Sequence, residues 1–354
     1  MSAVAVRPVP VTQYALWNRL VAESPMGSPY SSPEYLDALC SGAGGTFRIL
    51  GLWRGEELIG GIGLYERVSA WGRYVWPRLL LYYNGPILRQ FDTKYPSQRT
   101  SRTVEALSAL ADTLAGEYAS LMLKSRAALD DLRPFLARGW TVRAGYSYEV
   151  PLTDLEGQWG RVEQNLRRLV ERARQQGLQF SDDDDFAGFY TLHQMTLGRR
   201  GMASYLPREG FARWFERLKS QGLCRLYSAR LPDGRMAASQ LVLTGQHPVS
   251  HTISAAADPA LQNTGANPFL RWRAFEVLAG AGYTGNDLTD AALNPVTHFK
   301  AQLGGKLCLT LVAECHPSWR WRAGTRVQQG YRGVRRLAAD LYHRVRDRSR
   351  PGLT

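Results

Sequence analysis

Two apolar rhythms alternate along the chain. Short apolar runs bracketed by glycine or Asp-Gly turns read as strands. Longer stretches in which apolar residues recur every three to four positions read as helices. Phe47–Tyr65 is an apolar run, a polar turn carrying Gly55 and a second apolar run rich in glycine, which predicts a β-hairpin. Cys224–Leu243 repeats this pattern, with the turn Pro232-Asp233-Gly234 and a second run that opens on small residues. The elements after each hairpin also repeat. After the first, the pattern predicts a strand at 79–83, a helix over 103–118, a strand at 121–124, a short helix at 129–138 and a strand at 141–151. After the second it predicts a strand at 249–255 and a helix opening at Asn267-Pro268, with asparagine as N-cap and proline at the first helical position. A strand at 286–289, a helical stretch at 296–303 and a strand at 307–314 complete the copy. Helices precede each hairpin, at 13–22 and 33–40 in the first copy and at 157–176 and 186–197 in the second.

Two copies of β-β-β-α-β-α-β in tandem predict an α/β (α+β) protein of two similar domains, each a mixed, mostly antiparallel sheet flanked by helices. The 354 residues suit two domains of ordinary size. The repeat sets the domains at 1–152 and 153–318, followed by a basic tail over 319–354. Within that tail, Val327, Tyr331, Val334, Ala338, Leu341 and Val345 form the apolar face of a last helix over 325–348.

Composition narrows the classes. With 44% apolar and 21% charged residues the chain resembles neither a disordered nor a fibrous protein. No run of about 18 uncharged apolar residues predicts a membrane span. The opening MSAVAVRPVPVTQY lacks the apolar core of a secretory leader. Cys40, Cys224, Cys308 and Cys315 form no CxxC pair and sit in apolar stretches, which reads as small buried hydrophobes in a reducing, cytoplasmic compartment. Net charge is +13, and Arg320–Arg350 holds ten arginines against Asp340 and Asp347, so +8 of it lies in the tail. Phosphate-bearing partners are then expected: nucleic acid such as tRNA, nucleotides, or an anionic membrane face that would hold the protein peripherally on the inner side. The acidic run Asp182–Asp185 reads as a solvated turn.

No GxSxG, HExxH or Walker A motif is present, and six scattered histidines predict no metal site. The chemistry is then one in which the protein positions two substrates and stabilises charge. Gln262-Asn-Thr-Gly265-Ala-Asn267, feeding a helix N-terminus, is a candidate pyrophosphate cradle. It is similar to the Q/R-x-x-G-x-G/A loop with which GNAT acyltransferases hold coenzyme A, with Asn267 in place of the last small residue.

A wider resemblance rests on four further segments. Asn165-Leu-Arg167-Arg168-Leu-Val-Glu-Arg172-Ala-Arg174-Gln-Gln-Gly177 resembles the N-x-R-R-x-x-R-x-A-x-x-x-G opening of the second domain in FemABX-type aminoacyltransferases. The run Phe189–Met202 resembles that family's F-Y-x-L-x-x-x-T-x-x-R-x-G, and Asp287–Gly305 its D-x-G … FK-x-x-x-G close. Tyr83-Asn84-Gly85-Pro86 resembles its y-G-G-P turn. The resemblance extends over most of residues 30–315. Two departures stand out: Asp287 is followed by Leu-Thr, and no long charged helical hairpin interrupts the second domain.

The resemblance implies two tandem GNAT-like domains, with the last helix packed back on the first. It implies transfer of an acyl or aminoacyl group from acyl-CoA or aminoacyl-tRNA, as co-substrate rather than tightly bound cofactor. The acceptor would be an amine of a cell-envelope precursor, such as a peptidoglycan precursor, or of a glycan. Lys300 would stabilise the oxyanion, Asp287 would orient the amine or Lys300, and His251 would take the amine's proton. Arg167 and Arg199 would clamp an acceptor phosphate or carboxylate, with Tyr205, Tyr83, Asn84 and Phe299 on the substrate side. Gln262, Gly265 and Asn267 would bind the cofactor. Two other readings remain open: a small-molecule N-acetyltransferase using acetyl-CoA, and a non-catalytic RNA- or membrane-surface-binding protein resting on Trp319, Trp321 and Tyr331 among the tail arginines.

Overall fold

The computed structural model describes residues 3–199 and 201–324. The first unit runs β1 (Val4–Pro8), α1 (Tyr14–Glu23), α2 (Pro33–Ala43), β2 (Thr46–Arg54), β3 (Glu57–Ser69), β4 (Gly72–Val75), the short β5 (Ile87–Leu88), α3 (Pro96–Glu117), β6 (Ser120–Lys124), α4 (Arg133–Leu136) and β7 (Thr141–Pro151). The second runs α5 (Leu155–Arg161), α6 (Gln164–Gln175), β8 (Gln179–Ser181), α7 (Phe186–Arg199), α8 (Arg208–Ser220), β9 (Cys224–Arg230), β10 (Met236–Leu243), β11 (Val249–Ala257), α9 (Ala266–Gly280), β12 (Gly285–Asp287), α10 (Pro295–Gln302) and β13 (Lys306–Cys315).

The strands form one continuous sheet in the order β1-β2-β3-β4-β6-β13-β7-β12-β11-β10-β9-β8, with β5 paired to β3. Pairing is antiparallel throughout except for β4 with β6 and β11 with β12, which occupy equivalent places in the two units. At the centre the units exchange their last strands. β13, which closes the second unit, pairs with β6 of the first over Val312–Cys315. β7, which closes the first, pairs with β12 of the second over Glu149–Pro151. β7 and β13 pair with each other from Lys306↔Glu149 to Glu314↔Thr141. The same bond recurs on either side of this pseudo-two-fold: the Ser125 N–H donates to Leu311 O (2.9 Å) and the Leu288 N–H to Tyr148 O (2.8 Å). Lys124 is thus the first unit's counterpart of Asp287.

The cores follow the exchange. Ala313 of β13 belongs to the first unit's core with Leu107, Leu110, Leu121 and Phe135. Val150 of β7 belongs to the second unit's core with Leu166, Val170, Phe269 and Phe275. A third cluster joins the units directly: Tyr35, Leu36 and Leu39 of α2 meet Phe211, Trp214 and Phe215 of α8. At that crossing the helices approach so closely that a Cβ on Gly210 would stand 2.4 Å from the Gly42 carbonyl oxygen.

Several sequence expectations need correction. No strand occupies 79–83. The fourth strand comes earlier, at Gly72–Val75, and Leu79–Leu81 is a turn with Leu80 at φ +73°. The helix expected over 157–176 is two, broken at Val162–Glu163. Gly265, not Asn267, is the N-cap of α9, without a side-chain cap. Asp184 is not solvated: it is buried, and its carboxylate accepts from the Leu226 N–H at 2.8 Å. Among the cysteines only Cys224 is fully buried. β1 and α8 were not anticipated. The expected last helix over 325–348 lies outside the described residues, although just before it Trp321 packs on Trp71, Tyr74 and Trp76 of the first unit.

The α2–α8 crossing gives a direct test. Gly210→Ala places a methyl group against a main-chain oxygen that cannot move without shifting α2. It should cost about 1–3 kcal/mol in denaturant unfolding, and unchanged stability would refute this account of the crossing.

Candidate active site

β11 carries the feature that opens the site. Its register with β10 slips between Leu241 and Val242, so Ile253 bulges. β12 has only three residues and pairs with β11 over Val249–His251. Beyond that, β11 runs on to Ala257 with no partner on this side, and a groove of about 440 Å³ lies along it. Ala255–Ala257, Leu166, Leu169 and Phe299 give it an apolar wall, and Thr196, Arg199, Gln262, Asn267 and Arg271 bring polar groups. Gly265 takes a left-handed φ of +74° beside it, and a Cβ there would come within 2.5 Å of Leu169 O. Glycine is therefore required by the close approach of α6. Thr264 Oγ1 accepts the Ala266 N–H (3.3 Å), and Pro268 brings no N–H, so two of the first three helical positions offer an anion no donor.

At the C-terminal end of β12, next to the splay, stands Asp287, 4% exposed. Its carboxylate accepts from Ser147 Oγ, from Tyr83 OH at 2.8 Å and from the Thr289 N–H at 2.7 Å. Burial pushes its pKa up, but His251, Arg126, Ser147 and the Thr289 amide together hold it below the usual carboxylate range. His251 Nδ1 lies 3.8 Å from Asp287 Oδ2. Its ring, fully buried, is caged by Tyr30 and Tyr83, and neither nitrogen has a hydrogen-bond partner. Burial pushes its pKa down to about 3, so at neutral pH it is uncharged and a weak base. The charge that then faces Asp287 is that of Arg126, which also pairs with Glu149 (3.1 Å) and touches His247 (3.2 Å).

Lys300 lies on α10, half-buried. Its ammonium donates to the carbonyls of Thr289 and Asp290, the latter at 2.6 Å. Both residues take left-handed backbone (φ +50° and +45°) that turns their carbonyls toward the amine. Of the three ammonium donors one remains. Burial, and then the nearby Arg271, push the Lys300 pKa down to about 8. Lys124 reaches the same turn from the first unit, 3.6 Å from Asp290 Oδ1 and over the Tyr83 ring.

The structure thus brings Asp287, His251 and Tyr83 together, with Lys300 tied to the turn after Asp287. It places Arg199, Gln262, Asn267 and Phe299 on the groove. Asn84 acts elsewhere, because its side chain bonds Met122 O and the Lys124 N–H and so stitches its loop to β6. Tyr205 lies in a separate inter-unit cleft and packs on His193. Arg167 is half-buried on α6, its Nε without a partner, and does not line the groove. Sequence reasoning missed Ser147, Arg126 and Arg271. Ser147 carried no signal beyond strand alternation. Arg271 did carry one, as a charge on a helix that is apolar nearly all round. No group of described residues could hold a metal ion.

Residues 160–300 match the family model of an acetyltransferase (GNAT) domain. That match falls within the second unit. Over nearly its whole length the chain has the fold of FemX, at 13% identity, covering 87% of this chain and 96% of that one, with a TM-score of 0.65. It also resembles the C-terminal domain (DUF2156) of a protein described as a putative lysylphosphatidylglycerol synthetase from Agrobacterium fabrum, at 15% identity, covering 85% and 92%, TM-score 0.52. A tandem GNAT protein from the clavulanic acid biosynthesis pathway is similar at 14% identity, covering 88% and 98%, TM-score 0.50. No curated protein matches the chain. The FemABX-like resemblance holds as a fold: two GNAT-like units in tandem, the second with the GNAT domain itself. No helix of the described residues is long and apolar enough to cross a membrane.

Burial sets a pH dependence. His193, His247 and His251 are held uncharged in the fold, with pKa values pushed down to about 4, 4 and 3. In the unfolded chain they bind protons below about pH 6.5. Protons thus favour the unfolded state, and stability should fall as pH drops from about 6.5 toward 4, by about 1.4 kcal/mol per pH unit for each histidine. Urea unfolding at a series of pH values checks this, and a flat profile over that window would contradict the buried, neutral assignment.

Proposed function

We propose that the chain transfers an acyl group from an activated donor in the groove along β11 to an amine presented beside Asp287. The observation that carries the reading is that splayed-strand groove, in the segment that matches a GNAT domain, together with a buried carboxylate at the end of the adjoining strand β12 and the Lys300 ammonium, next in the chain to the groove residue Phe299. The apolar wall of Ala255–Ala257 and Phe299 suits the arm and acyl chain of an acyl-CoA, with Arg199 and Gln262 as polar anchors. Bound there, the thioester would supply an activated carbonyl.

The neutral amine adds to that carbonyl carbon, forming the C–N bond and an oxyanion. The free donor of Lys300 meets the negative charge. The tetrahedral adduct collapses with loss of the thiolate, and the proton released by the nitrogen is taken up at the leaving sulfur. Asp287 acts as a positioning residue: its oxygens hold Tyr83 OH, Ser147 and the Thr289 amide, and so fix the turn to which Lys300 is tied.

The acceptor side fits a phosphate-bearing envelope precursor or glycan. The inter-unit cleft, about 650 Å³, presents Arg67 and Arg78 with Tyr65, Tyr74, Trp76 and Tyr205. Arginines suit phosphate and aromatic rings suit sugar faces. An aminoacyl-tRNA donor is the second reading, favoured by the FemX fold and by the tail arginines. A small-molecule acceptor for acetyl-CoA is the third.

Thiol release from acyl-CoA in the presence of amine acceptors tests the donor, with aminoacyl-tRNA in parallel. Transfer from aminoacyl-tRNA with no CoA turnover would reverse the assignment. Lys300→Met should lower kcat by about 10²–10³-fold. Because Lys300 must be charged, the wild-type rate should fall as pH rises through about 8, whereas Lys300→Arg should keep partial activity without that alkaline limb. Persistence of the limb in Lys300→Arg would remove Lys300 from the oxyanion role.

A further inference from the structure

Among the described residues, Arg271 is a buried charge that its surroundings do not explain. It sits one turn into α9, 93% of its surface is buried, and Nε and Nη1 have no hydrogen-bond partner. A buried guanidinium without a counter-charge is expensive to keep, and an apolar residue of similar size would fill the site at lower cost. In front of it lies the groove, which it lines together with Arg199. Burial pushes its pKa down to about 10, which still leaves it charged at neutral pH. Its charge also bears on Lys300, so it stands toward the reacting end of the groove.

From this geometry we propose that Arg271 is an anion-recognition residue that selects a donor whose acyl chain ends in a carboxylate, such as the mono-thioester of a dicarboxylic acid. The inference rests on the acyl-thioester reading of the groove. A carboxylate and a phosphate would both answer a guanidinium. Three observations favour the carboxylate. The space is walled by Ala255–Ala257, Leu166, Leu169 and Phe299, so a group that reaches Arg271 travels on an apolar arm. One buried cation balances a singly charged carboxylate and leaves a phosphate dianion under-neutralised. Gln262, in the turn before α9, and Asn267, in its first turn, line the same groove and offer neutral side-chain amides to the donor's phosphates, which leaves Arg271 for the acyl end.

The test is calorimetric binding of coenzyme A, acetyl-CoA and succinyl-CoA to the full chain, as wild type and as Arg271→Met. Wild type should bind succinyl-CoA at least about tenfold more tightly than acetyl-CoA, in line with a charge-assisted hydrogen bond. Arg271→Met should erase that preference and leave coenzyme A within about threefold. With its unpaired charge removed, the free variant should also melt a few degrees higher, which shows that it folds and that Arg271 is not a structural anchor. Equal wild-type affinity for the two thioesters, with coenzyme A binding intact, overturns the carboxylate assignment and leaves the groove reading standing. An equal loss for coenzyme A and both thioesters in Arg271→Met makes Arg271 a phosphate ligand and likewise overturns it. Failure of all three compounds to bind folded wild type refutes the acyl-CoA reading and this inference with it.

Discussion

The reciprocal exchange of β7 and β13 is the interaction on which the rest of the molecule depends. β13 is hydrogen-bonded to β6 of the first unit and β7 to β12 of the second, and each contributes its C-terminal half to the other unit's core. The chain boundary near residue 152 therefore does not coincide with a boundary in space. A tandem repeat joined only by a linker could rock about it, whereas here the sheet is continuous and the ladder at its centre runs across both units. Packing of α2 on α8 closes the other side, with Gly42 and Gly210 allowing backbone-to-backbone approach.

The site is a product of that exchange. Asp287 belongs to the second unit, but Ser147 and Tyr83, which hold its carboxylate, come from the first. Lys124, the first unit's counterpart of Asp287, reaches across to Asp290 and lies over Tyr83. The two units present equivalent strand ends on either side of a pseudo-axis, and these ends carry opposite charge. One end keeps the carboxylate and the splayed groove. The other supplies a cation and a hydroxyl.

Electrostatics inside the site follow from burial more than from pairing. His251 is too well buried to charge near neutrality, which makes it a poor proton acceptor although it lies beside a carboxylate. Lys300 is lowered only to about 8 and stays largely charged, because two carbonyls and nearby acids compensate its desolvation. Arg271 has no such compensation, and its nearest open space is the groove. The three groups differ less in residue type than in what the backbone presents to them.

Much of the fold was legible because strands and helices are set by local periodicity. The two hairpins, β7, α9, β12 and β13 fall close to where the apolar pattern placed them, and the internal echo disclosed two similar α/β units. Asp287 at a strand end and Lys300 on the following helix were singled out by the resemblance of residues 287–305 to a family motif, not by periodicity. The misses are non-local. Leu80 could turn back in a left-handed conformation where a strand was expected because packing outweighed propensity. Gly265 resembled a phosphate-loop glycine, yet its position is required by contact with α6, far earlier in the chain. That Ser147 faces Asp287, that Arg126 stands behind it, and that Arg271 opens on a groove depend on which strands pair across the two units. Such pairing is decided by long-range burial and hydrogen bonding, for which periodicity along the chain carries no signal.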